Sequence, residues 1–223
     1  MDATVKAYKG RGMEGSVAHW YDRTTRRDMP EYVELGARIA GLAPEAGEVL
    51  EIAPGPGFLS IEMARRGLRV KAVEISKTFL EIAARNAASE GVHVEWLPGN
   101  AAALPVGDAS VDFVVCRAAF KNFTQPVKAM REMRRVLRPG GTALLIDMRR
   151  EATLKDVRPY VERMGVGWWS RQYMTLVFKA LIRRAYPLRE IYRMASAAGW
   201  GVDELKVTAE SMGFEARLLK RMV

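Results

Sequence analysis

The sequence predicts an α/β fold built on a doubly wound, mostly parallel sheet, and three observations carry that reading. Strand-like apolar runs and helical segments alternate in βαβ order through the middle of the chain, the pattern of a parallel sheet covered on both faces. Val49-Leu50-Glu51-Ile52 leads directly into Ala53-Pro54-Gly55-Pro56-Gly57, and residues 58–66 continue with helical composition, giving strand, tight loop and helix start. The next strand-like run ends in Glu74, 17 residues past Gly57, and a right-handed βαβ unit brings that strand end beside the first loop.

With 223 residues and 49% apolar side chains the chain can bury one large core, and it is read as a single domain over 1–223. Residues 142–146 and the other long apolar runs fall far short of a membrane span, and MDATVKAYKGRG holds no apolar signal-peptide core, so a cytoplasmic location is expected. Cys116 is the single cysteine, which excludes a disulfide or a thiolate metal site, and its setting in VDFVVCR makes it a core residue. The net charge is +9; residues 149–223 carry 15 basic against 8 acidic side chains, so +7 of the excess lies in the final third. Such a bias suits an RNA or membrane surface, an anionic substrate, or a solvated basic face.

Residues 1–45 precede the first strand. Gly10, Gly12 and Gly15 form a loose leader, then SVAHWYDR and PEYVELGARIAGL read as two helical pieces, with Pro30 placed to open the second. After the first strand, Gly55 and Gly57 remove side chains where a ligand would approach backbone, and the N–H groups opening the next helix favour its electron-rich atoms. The dinucleotide spacing G-x-G-x-x-G/A fails at Ser60, so NAD is disfavoured. Residues 68–74 are the second strand, Ser76 caps a helix to about Ser89, residues 93–99 are the third strand with its exit loop, and 111–117 are the fourth. Thr124 is read as the cap of a helix reaching Arg138, Pro139-Gly140-Gly141 as a turn, and TALLIDM as the fifth strand. The 38 residues of 149–186 are too many for a plain connection to the helix PLREIYRMASAAGW. VDELKVT and FEARLLKR read as two final strands around a turn at Met212-Gly213.

In their joint order and spacing, Glu51 to Gly57, Glu74, Gly99-Asn100-Ala101, Leu104-Pro105, REMRRVLRPGG and Asp147 resemble the methyltransferase type 11 family of class I S-adenosylmethionine (SAM) methyltransferases, over residues 47–148. The resemblance implies a Rossmann-like sheet of seven strands, mostly parallel with the last antiparallel. Around it are expected an N-terminal helical lid over 1–45, a SAM-binding core over 47–148, a helical substrate cap over 149–186, and a closing helix and β-hairpin over 187–223. It implies SAM, leaving as S-adenosylhomocysteine, and no metal; with His19 and His93 as its two histidines the chain offers no cluster of His and acids for one. Cofactor contacts are expected from Tyr21 in the lid, from Glu51, Ala53, Gly55 and Gly57, from Glu74 and Ile75 at the ribose, from Gly99, Asn100 and Ala101 at the adenine, and from Arg117. Ala53 stands where the family has its first glycine, tolerable at a negative φ; Asn100 stands where it has an acid, and keeps a carbonyl acceptor.

Methyl transfer from a sulfonium is an in-line displacement whose leaving group needs no proton, so alignment and exclusion of water are the main demands. Asp147 and His19 are the candidate bases for an acceptor that must lose a proton. Phe120, Lys121, Asn122, Trp168, Trp169 and Tyr173 are the candidate substrate contacts, and Trp20 and Asp22 join His19 and Tyr21 as lid residues able to touch cofactor or substrate. In the insertion, Arg171, Thr175, Lys179 and Arg183 recur at i+4 beside a wide apolar surface. That pattern fits a helix docked in the core or at a homodimer interface, a lid over an apolar pocket, or a membrane-touching surface along 168–186. The leading expectation is transfer to a small hydrophobic or aromatic metabolite such as a quinone or polyketide. An RNA methyltransferase using the basic C-terminal third is one alternative. RAAFKNF stands where amino-group methylases of bases carry N-P-P-Y, and no RNA-binding module is appended, so nucleic acid is disfavoured. A SAM-binding protein without catalysis is the other.

Overall fold

Alternate residues of a strand face opposite sides of a sheet, and the buried central strands of this chain supply apolar side chains to both. In β1 (Glu48–Ile52) Val49 packs on one face and Leu50 on the other; in β4 (Val111–Arg117) Phe113 and Val115 join Val49, while Val114 and Cys116 join Leu50. The computed structural model describes residues 9 and 12–222. Besides these two strands it contains β2 (Arg69–Glu74), β3 (Glu95–Pro98), β5 (Leu137–Met148), β6 (Leu205–Glu210) and β7 (Gly213–Leu219). They form one sheet in the order β3-β2-β1-β4-β5-β7-β6. The pairs β1–β2, β1–β4, β2–β3 and β4–β5 are parallel, and β7 runs antiparallel to both β5 and β6. This is the expected Rossmann-like sheet of seven strands, with its reversal of strand order between β1 and β4, where open α/β sheets bind ligands.

Helices cover both faces. On one side α2 (Met29–Leu42) and α3 (Phe58–Ala64) bring Tyr32, Leu35, Ile39, Leu59 and Met63 onto Val49 and Phe113. On the other, α5 (Pro126–Val136) and α8 (Leu188–Ala197) bring Met130, Met133, Ile191 and Ala195 onto Leu50, Val114 and Cys116. Each fully buried Leu, Ile, Met or Phe of these layers contributes about 1.5–3 kcal/mol. Two more helices, α1 (Ser16–Thr25) and α4 (Lys77–Ser89), share the small cluster of Ala18, Phe79 and Ile82. Ser76 caps α4 as its sequence position predicts, its hydroxyl accepting from the Phe79 N–H at 3.1 Å.

Three sequence expectations are corrected, and the insertion gains detail. The helix assigned to a Thr124 cap starts at Pro126, with Gln125 at the cap position and proline in the first turn, and it ends at Val136. Pro139-Gly140-Gly141 is no turn but the irregular opening of β5, where the Gly140 N–H donates to the Lys220 carbonyl and the Lys220 N–H to that of Gly141. Val202–Glu204 form a single 3-10 turn ahead of β6, and Glu210 pairs with Gly213, so the hairpin tip is Ser211-Met212. The insertion contains two helices: α6 (Leu154–Arg163), with Pro159 inside it, precedes α7 (Trp168–Arg184). Met174, Phe178 and Ile182 of α7 pack on Val157 and Val161 of α6, with Met148 and Met212 beneath.

Candidate functional site

The chain leaves β1 at Ile52 and turns through 53–57 at the carboxyl edge of the sheet. The Ala53 N–H donates to the Val73 carbonyl at 2.8 Å, and the residue adopts φ +57°. The negative φ expected there is therefore wrong: alanine occupies the left-handed conformation natural to the glycine it replaces, at a cost of about 1–2 kcal/mol. The two glycines of the loop do different things. A Cβ on Gly57 (φ +83°) would lie 2.7 Å from Trp96 and 2.9 Å from Ala83, so this glycine lets α4 and β3 close on the loop. A Cβ on Gly55 (φ +55°) would meet only Tyr21 and Phe79, both at 4.0 Å, so this one faces open space beneath α1.

Two carboxylates flank the loop in different environments. Glu51, buried, accepts from the Ser60 hydroxyl at 2.5 Å. Burial pushes its carboxyl up to about 7, against the pull of that hydrogen bond. Glu51 thus ties β1 to α3 under the loop. Glu74, at the end of β2, accepts from the N–H groups of Ile75 at 2.8 Å, Ser76 at 2.9 Å and Gly55 at 3.1 Å. Burial raises its carboxyl too, and those three N–H groups oppose the rise. A cleft runs from here, lined by Ile52, Ala53, Val73, Ile75, Gly99, Asn100, Ala101 and Phe123. The Asn100 carbonyl oxygen accepts from the Ala102 N–H at 3.0 Å, which folds the loop and leaves the side-chain amide N–H groups as the donors at that end.

Over the loop stands α1. The Tyr21 ring lies edge-on to Phe79, centroids 5.8 Å apart. Asp22 contacts no open cleft: it accepts from the Asn86 amide at 3.1 Å, Asn86 also donates to the Pro56 carbonyl at 2.9 Å, and Arg26 donates to Asn86 at 2.8 Å. Glu14 accepts from the Lys77 and Thr78 N–H groups at the start of α4, and Ser76 donates to the Met13 carbonyl. His19 and Trp20 are exposed on the outer side of α1.

Arg117, at the end of β4, donates to Glu31 at 2.7 Å and lies 4.5 Å over the Tyr32 ring, engaged with α2 rather than with the loop. Beyond it Tyr160 of α6 has a phenol pushed up to about 12 by burial and by the charges of Asp28 and Glu31. The acceptor residues expected after β4 are rearranged by the 3-10 turn Phe120–Asn122. Phe120 lies in the core against Phe123 and Tyr186, so Phe123 and not Phe120 lines the cleft. Lys121 and Asp147 form a buried ion pair at 2.9 Å, their side chains 7% and 1% exposed, and Asp147 also accepts from the Lys121 and Met148 N–H groups. A free base at Asp147 and a free orienting cation at Lys121 are both replaced by this pair. The Asn122 carbonyl accepts from the Lys9 N–H. Trp168, Trp169 and Tyr173 stand 60%, 80% and 65% exposed on α7, away from the cleft.

The cleft therefore gathers Ala53, Ile75 and Gly99 to Ala101, with Gly55, Glu74 and Tyr21 beside it, and leaves out Glu51, Arg117, His19 and the insertion aromatics. Phe123, Ile52, Val73 and Asn86 were not expected. Only Asn86 carries a readable signal, an amide in mid-helix among alanines, where asparagine is unfavourable without a partner. Among the described residues no three His, Cys, Asp or Glu side chains come together as a metal site, and no helix is long and apolar enough to cross a membrane.

Residues 50–145 match the family model described as a methyltransferase domain. The demethylmenaquinone methyltransferase of Deinococcus radiodurans is 32% identical over 152 residues, 66% of this chain and 63% of that protein. The ubiquinone/menaquinone biosynthesis C-methyltransferase of Rubrivivax gelatinosus is 33% identical over 143 residues, 64% of this chain and 50% of that protein. The chain thus spans about half to two thirds of the length of these relatives. In fold, a candidate SAM-dependent methyltransferase of Methanococcus maripaludis superposes with a TM-score of 0.73, covering 98% of this chain and 99% of its own at 18% identity.

Proposed function

We propose that the chain, whose residues 50–145 match the methyltransferase-domain model, transfers a methyl group from SAM to a small hydrophobic or aromatic metabolite, of the quinone kind named for its relatives. The observation that supports this best is Glu74: a buried carboxylate held by three backbone N–H groups at the carboxyl end of β2, hydrogen-bonded to the Gly55 N–H of the loop that leads from β1. A carboxylate so placed accepts from vicinal hydroxyls of a ribose, which is the donor set a nucleoside cofactor offers. Ile52, Val73, Ile75 and Phe123 supply apolar walls for a flat base, and the turn at Asn100 to Ala102 supplies polar groups at its edge.

Bound SAM would supply an electrophilic methyl group on a sulfonium sulfur. The residues of the chain bind and shield. Glu74 fixes the ribose end, the loop from Ala53 to Gly57 offers bare backbone to the amino-acid end, and Tyr21 on α1 closes the approach above Gly55. Excluding water in this way leaves the acceptor as the competent nucleophile. The buried Lys121–Asp147 pair holds the turn that presents Phe123 to the cleft.

The test is to incubate the full chain with methyl-labelled SAM and cell extract, then to partition the label between organic-soluble metabolites, RNA and protein. Gly55→Arg, which places a long side chain in the space under Tyr21, is the control. Label in the organic phase, absent from the control, supports the proposal. Label confined to RNA overturns the acceptor class, and SAM binding with no label in any fraction overturns catalysis.

A further inference from the structure

Seventeen residues of α7 make a rod about 25 Å long whose inner and outer faces are built for different surroundings. The inner face, Met174, Phe178 and Ile182, is matched to Val157 and Val161 of α6. Trp169, Tyr173, Leu176 and Ala180, spaced i, i+4, i+7 and i+11, fall in one line on the outer face, and all four are exposed; Trp169 is 80% and Leu176 63% accessible. An apolar ridge of that size facing solvent contributes nothing to the fold.

The charges beside it identify what it faces. Lys179 and Arg183 flank the ridge on one side and Arg184 on the other, all exposed, and α7 contains no Asp or Glu at all. None of the three forms an ion pair among the described residues. A two-fold contact between copies through this ridge would set those cations against their own counterparts with no acid of the helix to offset them. An anionic surface meets both features at once: Trp and Tyr rings settle at the boundary of acyl chains and headgroups while Lys and Arg reach the phosphates.

We infer that the outer ridge of α7 docks the protein peripherally on an anionic lipid bilayer, lying in the plane of the interface. This does not rest on the methyl-transfer reading, and its test needs no turnover. The full chain is floated with vesicles of phosphatidylglycerol and phosphatidylcholine in equal parts, and with pure phosphatidylcholine. Flotation is expected with the anionic vesicles, weaker in high salt and absent with the neutral ones. Lys179→Gln with Arg183→Gln lowers partitioning about 30-fold, at about 5-fold per cation lost from the surface. Trp169→Ser with Leu176→Ser abolishes it, and both variants keep the helix content of the parent because none of these side chains belongs to the cluster that packs α7 on α6. Three results overturn the inference: no flotation with anionic vesicles, flotation unchanged in both variants, or a concentration-dependent dimer that Trp169→Ser dissolves.

Discussion

Replacing Glu51 by glutamine is expected to stabilise the protein, and by an amount that depends on pH. Glu51 is fully enclosed beneath the glycine loop, and burial raises its carboxyl from 4.5 to about 7. Below the unfolded value both states hold the proton, and the folded state carries its full advantage. Between 4.5 and about 7 the unfolded chain releases the proton while the folded one keeps it. Stability therefore falls as pH rises through that window and levels off above it. At about 1.36 kcal/mol per pH unit the loss reaches about 3 kcal/mol. Glu51→Gln keeps an oxygen to accept from the Ser60 hydroxyl and has no proton to lose, so it should match the parent near the acid end and exceed it by about 3 kcal/mol near pH 8. Urea unfolding of both proteins across about pH 5 to pH 8 measures this. The difference between the two curves removes the parallel contribution of Glu74, which burial also raises. A difference that stays flat with pH, or a glutamine variant less stable at the alkaline end, would refute the reasoning and mean that the folded protein holds Glu51 as a carboxylate.

Ala53→Gly should gain about 0.5–1 kcal/mol, the left-handed strain relieved less the added freedom of the unfolded chain, whereas Ala53→Val should lose about 1–3 kcal/mol; thermal unfolding of the pair decides. Lys121→Met leaves Asp147 buried without its cation and should cost about 3–5 kcal/mol, most of which returns in the double variant Lys121→Met/Asp147→Leu; denaturant midpoints that show no recovery would mean that the pair is not the source of the loss. Asn86→Leu leaves the Pro56 carbonyl and Asp22 without the donor between them and should cost about 1–3 kcal/mol. It should also weaken SAM binding in calorimetry, because α1 is released from the loop; unchanged affinity would mean that α1 takes no part in closing the cleft.

Most of the sheet was legible because its strands announce themselves by an apolar run and by a polar, glycine or proline residue where the run stops. Glu74 and Ser76 are the best case: an acid at a strand end and a hydroxyl two residues on gave both the ligand edge and the helix cap. What was not legible depends on how the backbone turns between those signals. The sign of φ at Ala53 leaves no trace in a five-residue loop already rich in glycine and proline. The single turn at Phe120–Asn122 decides which of Phe120 and Phe123 faces the cleft, and nothing in F-K-N-F distinguishes them. Pro159 disguised α6 by standing inside it. The i+4 series of Arg171, Thr175, Lys179 and Arg183 suggested a single basic stripe, but α7 turns its smallest apolar set inward, and the stripe becomes one flank of an exposed ridge.

These anchors divide the molecule in a way that bears on how it can vary. Every hydrogen bond described here between the 13–26 segment and the rest of the protein runs to 76–78 or to Asn86, and Asn86 in turn holds the Pro56 carbonyl. The covering helix, the glycine loop and the end of β2 are thus tied together through α4, whose cap Ser76 follows Glu74 and Ile75 directly. The insertion is held apart from this unit, by its own small cluster of Val157, Val161 and Ile182 and by Met148 and Met212 at the ends of β5 and the hairpin. The insertion meets the rest of the fold at Met148 and Met212, and the Tyr160 phenol of α6 feels the charges of Asp28 and Glu31. Changes of acceptor or of docking surface on α6 and α7 are expected to cost little in SAM binding.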